Sequence, residues 1–536
     1  MENHLHDLVA FDQLAWILSF LILLSYLIPS ILDQEQCWLV HPIILAHQAT
    51  FSATRKQAET PTITSSGATP HSLPVTPDRS VKSLYDLLLK ADGKLRQVDV
   101  NSIVSQDISF KTLVSNTRNH LWSLLVETKT DEHQDHPLLL ILCADPYLKV
   151  VLSLAAATLP LVTILGTPKP SGTLPVDVKR ALEPYLKNIS LVVSDLPSDA
   201  TKESLGSELA VNCQILSANN LATCFQSDKT EAVTPNDPSQ LSKARLRIVS
   251  HSSRLNGQQI NQAQIFEFTP QNLLAGITGS LGLFPLSGKL SPKDTIAMEI
   301  GGDESIGGFE ISMAIAGLYA GANVYFFNRL KLLSDCEPTV LLLKATTAQT
   351  LAEEVIRLSK LSFLKKLAIG RRLSKVYNGR LGSPLSETTE LVGHKLRAIL
   401  TDDPISQSTA SLIRAGFGVS LQRVYVHPVG AGPLLASQQY DFQLVQPHRP
   451  TKHTMIQCGP PGVNVECKIV DVPEPSLINY DAWKGKLVVR GPSVGTALTS
   501  DPTSSPLGNF YPVADVAQVL PNGTFQVFSP SPTGDD

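Results

Sequence analysis

Ser493 stands in Gly491-Pro-Ser-Val-Gly495, the spacing of a hydrolase nucleophile elbow, which needs a strand before it and a helix after it. Gly485 to Arg490 supplies the strand. Thr496 to Pro506, rich in Ser, Thr and Pro, supplies no helix, so a hydrolase serine is set aside. Gly430-Ala-Gly432 lacks the third glycine of a dinucleotide fingerprint. His133 and His136 have the spacing of a metal pair, but Asp131, Glu132 and Asp135 around them read as a solvated loop. His4 and His6 are weaker still. No metal site is expected from these residues.

Composition narrows the choice further. The net charge of −4 and the absence of basic runs interleaved with aromatics exclude nucleic acid as a partner. The chain has 536 residues, long enough for more than one domain, and 43 % are hydrophobic. The seven cysteines are scattered without a C-x-x-C, the pattern of reduced thiols in a cytosolic body.

From Leu14 to Leu32 no residue is charged. The run sits at the length limit for a transmembrane helix, and no basic residue precedes it as in a cleaved signal. It reads as a retained membrane anchor, with a buried core helix as the alternative. Pro29 and a second apolar patch, Cys37 to Ala46, also suit a hairpin dipping into one leaflet. The first basic residues, Arg55 and Lys56, follow the anchor and place the body in the cytosol. Residues 46–80, rich in Thr, Ser and Pro, read as a linker.

Beyond Val81 short apolar runs alternate with helical periodicity. Leu138 to Cys143, Ile189 to Asp195, TIAMEI, ANVYFF, TVLLLK and KLRAIL predict buried strands of a parallel, layered α/β body. After residue 438 the pattern turns to alternating strands and a hairpin at Asn522-Gly523. The expected division is an anchor at 1–45, a linker at 46–80, an α/β body at 81–438 and a β subdomain at 439–536.

Four segments together resemble the adenylate-forming (AMP-binding) superfamily, in particular long-chain acyl-CoA synthetases. FTPQNLLAGITG (268–279) resembles the helix start after that family's phosphate loop. KLRAILTDDPIS (395–406) resembles the strand ending in Gly-Gly-Ala-Pro. VNVECKIVDVPE with KGKLVVRGPSV resembles Pro-Gly-x-Glu-x-Lys-Ile-Val-Asp and Val-x-Gly-Pro. NFYPVADVAQVLPNGTFQV resembles Trp-Tyr-x-Thr-Gly-Asp and the turn after it. The resemblance covers residues 81–530. It implies the family's large N-terminal α/β domain plus the small β subdomain, behind an N-terminal membrane helix.

The resemblance also implies a site and shows where this chain departs from it. Such enzymes join a carboxylate to the α-phosphate of ATP, and a glycine-rich loop lets backbone N–H groups reach the phosphates. The corresponding stretch here, 248–268, keeps Ser250, Ser252, Ser253 and Gly257. Gln264 stands where the loop's Lys is expected, with Arg254 as a substitute cation. The family's Tyr-Gly-x-Thr-Glu segment stacks adenine and holds Mg²⁺. Here it is Tyr425-Val-His427-Pro428-Val429, with neither the Thr nor the Glu. Asp515 matches the ribose-binding aspartate. The family's mobile C-terminal domain, with its hinge Arg and catalytic Lys, has no counterpart expected before the chain ends.

The implied reading is a membrane-anchored, acyl-CoA synthetase-like protein of lipid metabolism that has lost catalysis. The alternative is an atypical ligase forming acyl-adenylate or acyl-CoA from fatty acid. No catalytic residue is assigned. ATP or AMP is a candidate ligand without Mg²⁺. The partners expected are a membrane, of the endoplasmic reticulum or a lipid droplet, and a fatty acid or acyl ligand, with no protein partner identified.

Overall fold

The computed structural model describes residues 13–24, 47–65, 73–98, 103–104, 110–127, 137–168, 173–195, 197–205, 213–217, 242–251, 263–300, 307–328, 330, 333–402, 405–441, 453–472, 483–498 and 509–530. Three sheets organise them. The first α/β sheet runs in the order Thr496–Ala497, Ala263–Phe268, Arg245–His251, Val162–Gly166, Leu138–Leu142, Ile189–Ser194, Gln214–Ser217. Its five strands from Arg245–His251 onward are parallel, and Ala263–Phe268 returns antiparallel. The second α/β sheet is parallel through Ser420–Tyr425, Ala398–Thr401, Val340–Leu343, Thr295–Glu299, Asn323–Phe327 and Leu95–Val98. Leu435–Ala436 and Ile103–Val104 close its edges antiparallel.

Side-chain alternation explains the layering. Every residue of Leu138–Leu142 is buried. Leu139 and Ile141 face a core shared with the second sheet, whereas Leu138, Leu140 and Leu142 pack with Val178 and Leu182 of helix Val176–Leu186. The second sheet repeats the arrangement. Ile296, Met298 and Leu342 face the shared core. Ala297, Leu341 and Ile399 pack with helices Ala345–Leu361 and Gln407–Phe417. A strand apolar on both faces is stable only between two layers. Helices Pro270–Leu281 and Gly308–Tyr319, buried along nearly their whole length, fill the layer between the sheets. Thr269 starts the first by capping it, its hydroxyl accepting from Asn272 N–H while Asn272 reaches back.

The third sheet is antiparallel throughout: Ala49–Phe51, Ile63–Ser65, Glu466–Val470, Lys484–Arg490, Tyr511–Val519, Phe525–Pro530, His453–Gly459. The hairpin expected at Asn522-Gly523 is present, with Gly523 at φ +80°.

This sheet corrects the linker assigned to 46–80. Two strands of that stretch pair with each other and the second of them with Glu466–Val470, and Gln48 N–H donates to the Asn522 carbonyl. Three-residue strands, Ala-Thr-Phe and Ile-Thr-Ser, carry too short a pattern to read from sequence. The β subdomain therefore draws on both ends of the described body.

Of the expected anchor, residues 13–24 are described and are helical. Trp16, Ile17, Phe20 and Leu21 are all exposed there. No helix of the described residues is long and apolar enough to cross a membrane. Residues 1–12 and 25–46 lie outside the described residues.

Two glycines test the packing in opposite directions. A Cβ on Gly276 would overlap the carbonyl of Ala431, whereas one on Gly370 meets nothing within 4 Å. Gly276→Ala is expected to cost about 3 kcal/mol by overpacking. Gly370→Ala, on an open helix face, should stabilise by up to about 1 kcal/mol. Denaturant midpoints of the two variants check this. Equal shifts would show that the Gly276 contact is misplaced.

Candidate functional site

The segment after Ser420–Tyr425 crosses the middle of the molecule. Tyr425 ends the strand, half-buried, and its hydroxyl donates to the Val513 carbonyl at 2.9 Å. Asp515 lies two residues further along that same strand, Tyr511–Val519. The structure thus brings Tyr425 and the Asp515 strand together. The ladder to Lys484–Arg490 shifts register between Leu487↔Ala514 and Gly485↔Ala517, where Asp515 falls. Ser250 lies buried in Arg245–His251, its Cα paired with that of Gln264. Gln264 is therefore a ladder residue, not a loop residue. Ser252, Ser253, Arg254 and Gly257 lie outside the described residues, between the two strands of this antiparallel pair.

His427, named in the sequence only as part of the Tyr425–Val429 segment, lies at the centre of this arrangement. Its Nδ1 accepts from Val429 N–H at 3.1 Å, which places the proton of the neutral ring on Nε2. Nε2 is buried and has no hydrogen-bond partner among the described residues. The ring lies 6.0 Å from Phe266, edge to face, and 5.8 Å from Tyr511. Burial pushes the imidazole down to about 3 and raises the Tyr511 phenol. Tyr511 stood in the segment resembling Trp-Tyr-x-Thr-Gly-Asp, but its contact with His427 and Phe266 had no sequence signal, because only the fold brings these strands together.

Val429 is fully buried. Its carbonyl accepts from Gly495 N–H at 2.7 Å, and Ala431 N–H donates to the Ser493 carbonyl at 2.8 Å. The Gly-Pro-Ser-Val-Gly segment is thus a backbone brace. Ser493 itself is fully buried, its hydroxyl donating to Asn464 Oδ1 at 3.0 Å. It faces no base and serves packing.

A charged cluster, also unmarked by the sequence, sits at the carboxyl ends of the second sheet, where open parallel sheets place their ligands. Lys344 Nζ is paired with Asp402 and lies 3.3 Å from Glu310 Oε1. Glu299 accepts from Lys344 N–H at 2.8 Å. Glu310 also accepts from Gly307 N–H and so caps helix Gly308–Tyr319. That helix begins against the Gly430 carbonyl, so the cluster adjoins the Val429 segment. At the corresponding end of the first sheet, Lys149 is buried and donates to Thr167 Oγ1 at 2.7 Å. Burial lowers Lys149 to about 8 and raises Asp145 nearby to about 6. Among the described residues no group of three or more His, Cys, Asp or Glu is arranged to hold a metal.

No protein-family model matches the sequence, and no curated protein matches it. Solved structures do. An adenylation domain of a keto acid-selecting NRPS module, bound to keto acyl adenylate, aligns with TM-score 0.59 at 13 % identity, over 85 % of this chain and 81 % of that one. ATP-bound MatB from Rhodopseudomonas palustris aligns with TM-score 0.57 at 14 % identity, over 83 % and 78 %. The N-terminal domain of FACL13 from Mycobacterium tuberculosis aligns with TM-score 0.55 at 9 % identity, over 83 % and 100 %. The chain has the fold of the adenylate-forming enzymes, as the sequence segments implied.

The buried imidazole predicts a pH dependence. A histidine held neutral in the fold and protonated when unfolded adds stability above its ordinary pKa, near 6.5, and loses it as pH falls toward about 3. The slope contributed is up to about 1.4 kcal/mol per pH unit. His427→Asn keeps an acceptor for Val429 N–H and removes the titration. Its stability between pH 6.5 and 4 should fall less steeply than that of the unsubstituted chain. Parallel curves would show that His427 is not the buried titrating group.

Proposed function

We propose that this chain is a membrane-anchored protein of lipid metabolism that binds an acyl ligand on the adenylate-forming fold without catalysing ligation. Val429 carries the proposal. It stands where the resembling family has its metal-binding glutamate, and its side chain is buried in the core. Its N–H and C=O are both used inside the protein. Mg²⁺ takes hard oxygen ligands, and neither Val429 nor Pro428 has a side-chain oxygen. These residues do not fit the metal.

Two observations bear on ligand binding. Tyr425 and the strand of Asp515 are adjacent, which supports the nucleotide reading of these two segments that the resemblance suggests. The neighbour that carries a keto acyl adenylate and the intact sheets support an acyl group beside them. Lys344, with two carboxylates against it, has its charge answered within the protein. A substrate carboxylate would have to compete for it.

The expected outcome with fatty acid, ATP, Mg²⁺ and CoA is no pyrophosphate release above that of a Tyr425→Ala, Asp515→Ala control. Losing positioned charge in such a site costs several kcal/mol of transition-state stabilisation. Fatty-acid-dependent release above the control would establish the atypical ligase instead.

The membrane part of the proposal rests on residues 13–24. Leu14, Trp16, Ile17, Leu18, Phe20, Leu21, Ile22 and Leu23 are each more than half exposed, so the helix presents apolar side chains on every side. Apolar surface of this kind is favourable in hydrocarbon and costly in water. The expected setting is the endoplasmic reticulum or a lipid-droplet surface, with the body in the cytosol. The full chain should stay with the membrane through high salt and alkaline carbonate, and a chain lacking residues 1–45 should be released. Full-length protein in the soluble fraction would refute the anchor.

A further inference from the structure

The outer helix layer of the second sheet carries a surface unlike the rest of the molecule. Helix Ala345–Leu361 ends at Ser362, which caps the next helix, Phe363–Tyr377, by accepting from Lys365 N–H. Only Ile369 and Val376 of that second helix are buried. Around the corner the apolar side chains point to solvent: Leu361 is 55 % exposed, Phe363 77 %, Leu364 75 % and Leu367 44 %. Folding does not require this. Residues at such positions in a soluble helix are ordinarily polar, and scattered exposed apolar residues do not cluster in this way.

The charges of the corner segment itself are of one sign, with Glu353, Glu354 and Glu387 at its borders. From 355 to 386 the chain holds eight Lys and Arg and no Asp or Glu, although its net charge is −4. Lys365 pairs with Glu387 and Arg357 with Glu354. Lys360, Lys366 and Arg371 enter no ion pair among the described residues. At 100° per residue, Phe363, Lys366, Leu367, Gly370 and Arg371 share one face of the helix. A Cβ on Gly370 would meet nothing within 4 Å, so the face is open along its middle.

We propose that the corner formed by Leu361, Phe363, Leu364 and Leu367, ringed by Lys360, Lys366 and Arg371, inserts into the headgroup region of an anionic membrane. Charge decides the occupant. A neutral protein face would match the leucines but leave the cations unanswered. An anionic bilayer answers both, with hydrocarbon for the apolar tip and lipid phosphates and carboxylates for the cations. This surface is separate from residues 13–24, and the inference stands whether or not those residues anchor the chain.

The test is amide hydrogen exchange of the full chain, read at peptides covering 358–370. Three conditions are compared: without vesicles, with phosphatidylcholine vesicles, and with vesicles containing about one third phosphatidylserine. Exchange should slow about tenfold on the anionic vesicles only. Phe363→Ser with Leu364→Ser should abolish the effect, and Lys360→Gln with Lys366→Gln and Arg371→Gln should weaken it. All five side chains are exposed, and unchanged exchange at Leu138–Leu142 confirms that each variant is folded. Unchanged exchange at 358–370 on anionic vesicles overturns the proposal, even if the chain is held there by its N-terminal helix. Slowing without vesicles that grows with protein concentration also overturns it, because a second copy of the chain would then be the occupant.

Discussion

The close passage of the backbone from Val429 to Gly432 between two buried helices is the constraint on which the rest of the structure depends. Gly276 lets helix Pro270–Leu281 touch the Ala431 carbonyl, and Gly308 lets helix Gly308–Tyr319 begin against the Gly430 carbonyl. Any side chain at Gly276 would force the helices apart. On its other side the same segment is held by Val429, Ala431 and the Gly491–Gly495 brace. One stretch of chain thus fixes the two central helices, the end of the second sheet and the start of the third. Backbone contacts of this kind leave little room for adjustment, because interiors are packed to crystal density.

That constraint shapes the chemistry available at the centre. Where the resembling family uses side chains at Thr and Glu to handle phosphate and metal, this chain uses the same stretch for packing. Val429 contributes an apolar side chain to the shared core. His427 spends one nitrogen on the backbone of its own turn and is kept neutral by burial. Tyr425 spends its hydroxyl on the neighbouring strand. On the function proposed above, the groups that would drive phosphoryl chemistry are replaced here by contacts that stabilise the frame. Lys344 follows the same logic, since Glu310 and Asp402 neutralise it before any ligand arrives.

The layered body was legible in the sequence because its strands are buried on both faces. Leu138–Leu142 and Val340–Leu343 are continuous apolar runs that solvent-exposed strands do not tolerate. The capped start of Pro270–Leu281 and the Asn522-Gly523 turn were legible because each is set by local hydrogen bonding or backbone handedness. The strands Ala49–Phe51 and Ile63–Ser65 were not. Ile63–Ser65 is held by Glu466–Val470, some four hundred residues away in sequence, and holds Ala49–Phe51 in turn. Half of the site was hidden for the same reason. Tyr425 and Asp515 stood in recognisable segments, but Glu310, Lys344 and Asp402 are single charges at the ends of separate elements. Only the parallel order of Thr295–Glu299, Val340–Leu343 and Ala398–Thr401 brings them together.

Charge distribution completes the picture, because totals conceal it. A chain with net charge −4 looks indifferent to anionic surfaces, and electrostatics acts over about 10 Å at ordinary salt. Within that range the corner around Phe363 is rich in cations, of which Lys365 and Arg357 are paired with Glu387 and Glu354. Burial sorts the remaining charges the opposite way. Lys344 and Arg247 each have a carboxylate within 3.3 Å, whereas the buried Arg414 and Arg423 donate to carbonyl and amide oxygens. The unanswered positive charge is left on the outer helix layer beside exposed Leu and Phe. Folding accounts for the paired charges of the interior and gives no reason for the unpaired ones outside. Their position marks the face of the molecule that meets something other than water.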